Sequence, residues 1–261
     1  MTNISSVFYT NDILVRKSHS GNSYLQKALK NSKSTVCEGE DRDDVDKFYF
    51  LFENVFRGST EEIKKRQSIY LPYVAEAQAN SKGLFFLDAG CGRGEFLSLL
   101  KEYGISARGV DTNSIAAELG KKMNLDVILL DAWEYLKSLE DDSITGLSML
   151  QVVEHLDFKC SDDILKTAFK KISLHGIIII ESVNPYCPAA LGNFYLDPTH
   201  IRPYASDLMK FMLEWHGFEM VKIIYSSPLS KRFHFAEGVR NYQDYAVLGE
   251  KRRLGSGWRG V

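Results

Sequence analysis

The stretch from Leu84 to Leu97 places a strand, a tight turn and a helix directly one after another. An apolar run of strand length ends at Leu87, glycine recurs three times in the turn, and apolar residues at helical spacing begin at Phe96. Glycine lets the backbone approach a ligand where a Cβ would collide. The helix N-terminus adds unpaired N–H groups and a partial positive charge. The stretch therefore predicts a binding site for a nucleotide-like ligand that carries an anionic or carboxylate group.

The spacing of the three glycines separates two kinds of nucleotide-binding turn. Dinucleotide-binding turns follow G-x-G-x-x-G, whereas Gly90, Gly92 and Gly94 follow G-x-G-x-G, directly after Asp88 and Ala89. This segment closely resembles motif I of the class I S-adenosylmethionine-dependent methyltransferases. The resemblance implies that S-adenosylmethionine is the cofactor and that these five residues contact it.

Length, charge and cysteine content restrict the class of protein. A chain of 261 residues can bury the core of one α/β domain with an appendage. The net charge of −2 argues against a dedicated nucleic-acid surface. Cys37, Cys91, Cys160 and Cys187 lie far apart without a C-x-x-C pair. This pattern favours reduced thiols in a cytosolic protein, and Cys91 fits the turn as a small residue.

The chain shows no signal for export or membrane insertion. Its N-terminus lacks a basic segment followed by an apolar one. The longest apolar run, around residues 177–180, is much too short to span a bilayer. We therefore expect a cytoplasmic protein without a transmembrane segment.

The chain divides into four regions by composition. Residues 1–44 are polar and are expected to form a flexible arm, either ordered by a ligand or disordered throughout. Residues 45–80 predict two helices, the second divided by Pro72, that form a cap before the first core strand. Arg57, at the break between these helices, is expected to meet the carboxylate of the cofactor. Residues 81–250 form the catalytic domain, and residues 251–261 a basic, disordered tail.

Strands and helices alternate regularly after the glycine turn. Strands are predicted at residues 107–111, 126–130, 144–150 and 176–183, with a helix after each; two more, at 218–225 and 244–248, have no helix between them. This order predicts an α/β fold with a doubly wound, Rossmann-like sheet. The expected sheet has seven strands in total. They are mostly parallel, and one of them, at the edge, is reversed, as in the methyltransferase fold.

Polar residues follow the second and third strands. Asp111 ends the second strand about twenty residues after the glycine turn, where an acid can accept hydrogen bonds from both ribose hydroxyls. Thr112 and Asn113 lie within reach of the same sugar. Nicotinamide dehydrogenases share this arrangement, so Asp111 alone does not identify the cofactor.

The resemblance assigns roles to the segment after the third strand. It implies that Asp131 binds the adenine amino group and that the backbone N–H of Ala132 binds the ring. Trp133 either flanks the adenine or is a core aromatic residue.

The fourth strand is followed by Gln151-Val152-Val153-Glu154-His155. Ligands of open α/β sheets bind beyond the carboxyl ends of the strands, so Gln151 is expected to face the cofactor and Glu154 and His155 the acceptor. The segment is similar to the hydrophobic-x-x-Glu-His segment of many small-molecule methyltransferases. A histidine with a pKa near ~6.5 can take a proton at cytosolic pH, or it can simply pack and bond locally.

A polar loop follows the fifth strand. Its candidate substrate-binding residues are Asn184, Tyr195 and Arg202, and Asp197 and His200 lie between them. Asn-Phe-Tyr-x-Asp-Pro-Thr-His resembles a loop of methyltransferases encoded with bacterial surface-polysaccharide enzymes. This resemblance implies a sugar or glycan acceptor, with a glycosyltransferase as a possible partner. Alternatively, Asp197 and His200 only stiffen their own turn.

The reaction expected from these residues is metal-independent O-methylation. His155 or His200 is the candidate base, and Asp197 is the residue that orients it. No metal is expected, because the histidines and acids lack a ligand spacing such as H-E-x-x-H.

Three other functions remain open from the residues alone. A nicotinamide-dependent oxidoreductase would use the other glycine spacing and an ordered catalytic set that the sequence lacks. A non-catalytic protein could keep the pocket to bind S-adenosylmethionine. A methyltransferase of lipids or quinones would need a more apolar acceptor loop than this one.

Overall fold

The computed structural model describes residues 7–10, 13–16, 41–81, 83–234 and 238–252. They belong to two compact units, which divide the chain after Ser59. Most of the predicted arm, residues 1–44, and most of the predicted basic tail, residues 251–261, lie outside the described residues. The predicted helical cap, residues 45–80, is shared between the two units.

The described residues of the first unit form a two-stranded ribbon and one helix. Strands β1 (Val7–Thr10) and β2 (Ile13–Arg16) pair antiparallel. Helix α1 (Asp41–Phe56) ends just before Gly58, which has a φ of 113°. Arg57 forms an ion pair with Glu53 at 2.8 Å within this unit. Its contact with a cofactor carboxylate stays a prediction.

The second unit begins with the predicted divided helix. Helix α2 (Thr60–Gln67) is followed by a 3-10 turn (Ser68–Tyr70) and by α3 (Leu71–Asn80). Pro72 lies in the first turn of α3, where its missing N–H group would have no intrahelical partner. The predicted division at Pro72 is therefore confirmed.

The rest of the second unit alternates strands and helices. Its strands are β3 (Phe85–Ala89), β4 (Ala107–Asp111), β5 (Val127–Leu129), β6 (Ile144–Leu150), β7 (Ile172–Val183), β8 (Glu219–Pro228) and β9 (Tyr242–Glu250). Its helices are α4 (Glu95–Glu102), α5 (Ser114–Lys122), α6 (Ala132–Ser138), α7 (Phe158–Lys171), α8 (Pro188–Phe194) and α9 (Ser206–Trp215). No helix within the described ranges is long and apolar enough to cross a membrane.

The seven strands of this unit form one mixed sheet in the order β5-β4-β3-β6-β7-β9-β8. Strand β9 runs antiparallel to both β7 and β8, and the other pairs are parallel. The doubly wound, Rossmann-like methyltransferase fold predicted from the sequence is thus confirmed. One detail differs, because the reversed strand β9 is next to last and β8 forms the edge.

Both faces of the sheet are covered, which explains the apolar sequence of β7. Ile178 and Ile180 belong to the buried cluster that includes residues of α7 and α9. Ile177 and Ile179 belong to the opposite cluster, which includes Tyr70 from the helical segment before the sheet. The carboxyl ends of β3, β4, β6 and β7 therefore meet at one edge, between the two helical layers.

The helices that begin at this edge differ in how they are capped. Asn113 and Asp131 cap α5 and α6 with their side chains, and Asp157 caps α7. Helix α4 begins on Gly94, which has a φ of 77° and no side chain to cap the first turn. The N-terminus of α4 is thus prepared to receive an acceptor from outside the helix.

Two glycines with similar backbone angles test the packing of the turn. Gly90 has a φ of 71°, and a Cβ there would lie 2.6 Å from Cγ2 of Val152. Gly104 has a φ of 69° and open space around it. We expect Gly104→Ala to lower the free energy of unfolding by about 1–2 kcal/mol, through backbone strain alone. Gly90→Ala should lose about 1–3 kcal/mol more through the clash. Urea unfolding measures both, and equal losses would contradict the close approach.

Candidate active site

Asp111 connects the glycine turn to the loop after β4. Its Oδ2 accepts a hydrogen bond from the backbone N–H of Gly92 at 2.7 Å, and its Oδ1 accepts one from Asn113 at 2.8 Å. These two bonds fix the carboxylate in place at the sheet edge. Its contact with the ribose hydroxyls stays a prediction.

The glycine turn packs tightly against β4. Gly90 and Cys91 both donate backbone hydrogen bonds to the carbonyl of Val110, at 2.8 and 3.1 Å. A Cβ on Gly109 would lie 2.6 Å from the sulfur of Cys91. Burial raises the pKa of the Cys91 thiol, so it is an inert packing residue rather than a nucleophile.

Asp88 and Ala89 lie inside the sheet rather than on the wall of a cleft. Both are buried, and Oδ1 of Asp88 accepts a hydrogen bond from the Ser148 hydroxyl at 2.6 Å. This contact joins β3 to β6 beneath the turn. Asp88 therefore helps to hold the turn in position, and the contact of Asp88 and Ala89 with the cofactor stays a prediction.

The residues after β5 divide into a polar edge and a packed aromatic ring. Asp131 is exposed and caps α6, with its Oδ1 accepting from the N–H of Glu134 at 3.0 Å. Trp133 packs against the core, and the Lys137 ammonium lies 5.1 Å from the centre of its ring. Trp133 is partly buried against the core, and its contact with adenine stays a prediction, as do the adenine contacts of Asp131 and Ala132. The same holds for the ribose contact of Thr112, which is exposed.

Glu154 and His155 follow β6 in a 3-10 turn (Val153–His155). Glu154 is completely buried, and its Oε2 accepts a hydrogen bond from the Ser182 hydroxyl at 2.9 Å. Its backbone carbonyl accepts from the N–H groups of Ile201 and Arg202, at 2.8 and 3.3 Å. These bonds fasten the predicted acceptor loop to the end of β6.

Thr199 links His155 to Asp197. The Thr199 hydroxyl lies 2.6 Å from Oδ1 of Asp197 and 2.9 Å from Nδ1 of His155. A carboxylate only accepts, so the hydroxyl donates to Asp197 and accepts from the Nδ1–H of His155. This assignment leaves the lone pair of the neutral imidazole on Nε2. Asp197, which was predicted to orient the histidine, is therefore connected to His155 through the hydroxyl of Thr199. Sequence reasoning did not assign a role to Thr199.

His200 has the same tautomer for a different reason. Its Nδ1 lies 2.7 Å from the carbonyl oxygen of Phe194, which can only accept, so Nδ1 carries the hydrogen. Its ring stacks on Phe194 and meets the ring of His155 edge-on, with 4.6 Å between centres in both cases. Asp197 also stiffens its own turn, because its Oδ1 accepts a hydrogen bond from the N–H of Thr199 at 2.8 Å.

The fold brings Glu154, His155 and His200 together. One potential ligand atom from each lies within 4.8 Å of the other two. The sequence predicted no metal cluster, because these residues lack a ligand spacing such as H-E-x-x-H; two helices and a strand separate His200 from its partners. Spacing along the chain could not reveal this group, whose members meet through the path of the loop.

The three residues predicted to bind substrate from the loop after β7 differ in burial and in contacts. Asn184 is completely buried; its Nδ2 donates to the carbonyls of Val239 and Tyr242, and its Oδ1 accepts from the N–H of Tyr186. The substrate-binding prediction for Asn184 is therefore wrong, and the residue holds the loop after β7. Tyr195 is 77% exposed. Arg202 lies over the ring of Tyr204, 4.8 Å from its centre.

A second polar group, unpredicted from the sequence, lies on the other side of β6. Nε2 of Gln151 donates to Glu181 at 3.1 Å and lies 3.4 Å from Oδ1 of Asp244. The Tyr70 hydroxyl donates to the other oxygen of Glu181. Gln151 has a φ of 61°, a strained conformation for a non-glycine residue that is often found at ligand sites. The predicted contact of Gln151 with the cofactor stays a prediction.

Asp244 shows the electrostatic consequence of this group. Loss of hydration and the negative charge of Glu181 raise the pKa of Asp244 to about 6. The folded state therefore retains a proton that the unfolded chain releases near its usual pKa of about 3.9.

This difference predicts a pH-dependent effect of Asp244→Asn. Relative to the variant, the natural protein should lose unfolding free energy as the pH rises from about 4 to about 6, by about 1–3 kcal/mol in total. Above that range the difference should stay constant. Urea unfolding of both proteins at several pH values measures it. Parallel stability curves from pH 4 to 7 would contradict the assigned pKa.

The chain is similar to known methyltransferases over most of its length. Residues 63–223 match a family described as a methyltransferase domain. A crystal structure of an S-adenosylmethionine-dependent methyltransferase from Archaeoglobus fulgidus is 37% identical, with a TM-score of 0.71; the match covers 78% of this chain and 100% of that one. No curated protein matches the chain.

Two more distant crystal structures share the fold. A possible histamine N-methyltransferase from Thermotoga maritima is 18% identical, with a TM-score of 0.58; the match covers 79% of this chain and 97% of that one. A geranyl diphosphate C-methyltransferase from Streptomyces coelicolor is 11% identical, with a TM-score of 0.50, and coverages of 68% and 78%.

The family match and the glycine turn together exclude the nicotinamide-dependent oxidoreductase. The chain belongs to the class I S-adenosylmethionine-dependent methyltransferases, and S-adenosylmethionine is its methyl donor.

Proposed function

We propose that the protein methylates a hydroxyl group of a sugar or glycan precursor of a bacterial surface polysaccharide. The observation that carries this proposal is the polar loop held against the end of β6, which brings Asp197, Thr199 and His200 beside His155. Hydroxyl-rich acceptors suit such side chains, whereas a quinone or lipid would be matched by an apolar wall. A glycosyltransferase that supplies or consumes the acceptor is the partner that this function implies.

The donor side of the edge fits S-adenosylmethionine. The uncapped N-terminus of α4 follows a turn in which Gly90 and Gly94 have positive φ angles, and Asp111 is fixed by two backbone donors. We assign the ribose hydroxyls to Asp111 and the adenine to Asp131 and Ala132. When bound, S-adenosylmethionine supplies a methyl group on a positively charged sulfur.

The acceptor side must align an oxygen and help it lose a proton. Alignment of reacting groups is worth on the order of 7–11 kcal/mol, and assisted proton removal adds typically ~10²–10⁴-fold. His155 and His200 are the groups that we expect to promote this proton loss, because both tautomers leave Nε2 with its lone pair. The backbone carbonyl of Glu154 accepts hydrogen bonds from the loop that carries His200. Because Glu154 also precedes His155 directly, its backbone fixes the position of both imidazoles.

Replacement of each histidine tests the assignment. We expect His155→Ala and His200→Ala to lower kcat by about 10²–10⁴-fold, with the affinity for S-adenosylhomocysteine unchanged in calorimetry. His175→Ala, at the opposite end of β7, is the matched control and should keep full activity. Wild-type turnover in both site variants would contradict the proposal.

The acceptor class is tested separately by product formation. Formation of S-adenosylhomocysteine is measured with nucleotide-linked sugars, lipid-linked glycans and quinols at equal concentration. We expect turnover with a glycan acceptor. A preference for quinols, or no turnover with any acceptor, would favour the other small-molecule function or the non-catalytic one.

A further inference from the structure

We propose that Glu154, His155 and His200 form a binding site for one divalent transition-metal ion, of the zinc or cobalt type. The binding itself is independent of the acceptor. The task that we assign to the ion, holding and activating the acceptor hydroxyl, rests on the proposed function.

The donor set is the first reason for this assignment. One ligand atom from each of the three residues lies within 4.8 Å of the others, at the edge where the acceptor binds. Two imidazole nitrogens and one carboxylate are a known ligand set for catalytic zinc and for non-haem iron, and both leave a position open for substrate. A hard ion such as Mg²⁺ prefers oxygen ligands and is not expected here.

The hydrogen bonds behind the histidines are the second reason. His155 donates its Nδ1–H to Thr199, which passes the contact to Asp197, and His200 donates its Nδ1–H to the carbonyl of Phe194. Metal-binding histidines nearly always donate their second N–H in this way, to a carboxylate or a carbonyl. Each imidazole is thereby held with Nε2 as the nitrogen that can bind a cation.

Burial of Glu154 is the third reason. The side chain is completely buried, and Ser182 donates a hydrogen bond to its Oε2 at 2.9 Å. The carboxylate is thereby held at a fixed position beside the two imidazoles. A divalent ion bound there would bring positive charge directly onto a carboxylate oxygen.

The observed spacing needs only a small closure. Tetrahedral zinc bonds of 2.0–2.1 Å place neighbouring ligand atoms about 3.4 Å apart. The upper limit of 4.8 Å in the structure is therefore reduced by a shift of about 1 Å in the loop that carries His200. The loop remains tied to Glu154 through the N–H of Ile201 during such a shift.

The ion changes how the acceptor hydroxyl loses its proton. Coordination by a cation lowers the pKa of a bound O–H group. The hydroxyl proton passes to water, the oxygen forms a bond to the methyl carbon, and the carbon–sulfur bond breaks with its electron pair on sulfur. The two histidines thus promote the proton loss that the proposed function assigns to them, as ligands of the ion rather than as proton acceptors.

Cobalt binding tests the site without any acceptor. The full chain, without a polyhistidine tag and after chelator treatment, is titrated with CoCl2 while visible absorption is recorded. We expect one Co²⁺ per chain, displaced by ZnSO4 but not by MgCl2. His155→Ala, His200→Ala and Glu154→Gln should each weaken binding at least tenfold, whereas His175→Ala should not change it.

Thr199 provides a test of the support behind His155. Thr199→Val removes the hydroxyl and should weaken Co²⁺ binding by about 10–100-fold. Thr199→Ser keeps the hydroxyl and should retain wild-type binding, which a purely steric role of Thr199 does not predict.

Two results would overturn the site: no saturable Co²⁺ binding, or wild-type binding in both histidine variants. If Co²⁺ binds as expected but the chelated protein methylates its acceptor at the full rate, the catalytic role is wrong. If the ion binds and S-adenosylmethionine binds but no glycan is methylated, the proposed acceptor fails while the metal site stands.

Discussion

The close approach of the glycine turn to the end of β6 is the constraint on which the site depends. Gly90 leaves no room for a side chain against Val152, and Asp88 bonds to Ser148 of β6 beneath it. Strands β3 and β6 are neighbours in the sheet, so the turn that receives the donor lies beside the segment that carries Glu154 and His155. The glycine turn and the proposed acceptor side adjoin because two parallel strands pack closely.

A second set of bonds gives the acceptor side its shape. The loop after α8 is tied to the backbone of Glu154 through Ile201 and Arg202, and to His155 through Thr199. The tautomer of His155 follows from the bond between Thr199 and Asp197, and that of His200 from the Phe194 carbonyl, because a carboxylate and a carbonyl can only accept hydrogen bonds. The chemistry of the edge is thus determined by loop geometry as much as by residue identity.

Much of the fold could be predicted from the sequence, since periodicity and turn residues act locally. The bounds of β6 agree with the prediction, and Pro72 divides the helix as expected. The reversed strand was expected but not its place inside the sheet, because strand order depends on packing far along the chain. The position of Asp111 at the sheet edge was predictable, because it depends on one strand and one turn.

The acceptor side was harder to predict for the same physical reason. Asn184 is a polar residue in a loop at the ligand edge, which is typical of a binding residue. In the fold its side chain is buried, and its amide donates to two backbone carbonyls instead. Thr199 gains its role only when the loop folds onto His155, and Glu181 meets Asp244 only through antiparallel pairing of β7 with β9. Contacts between distant segments depend on strand register and loop path, which residue patterns do not contain.

A crystal structure of the protein with S-adenosylhomocysteine tests the central claim most directly. The account predicts that the ribose hydroxyls bind Asp111 and that the sulfur faces the gap beside His155 and His200. A nucleoside bound away from the glycine turn, or a sulfur directed away from the two histidines, would contradict it.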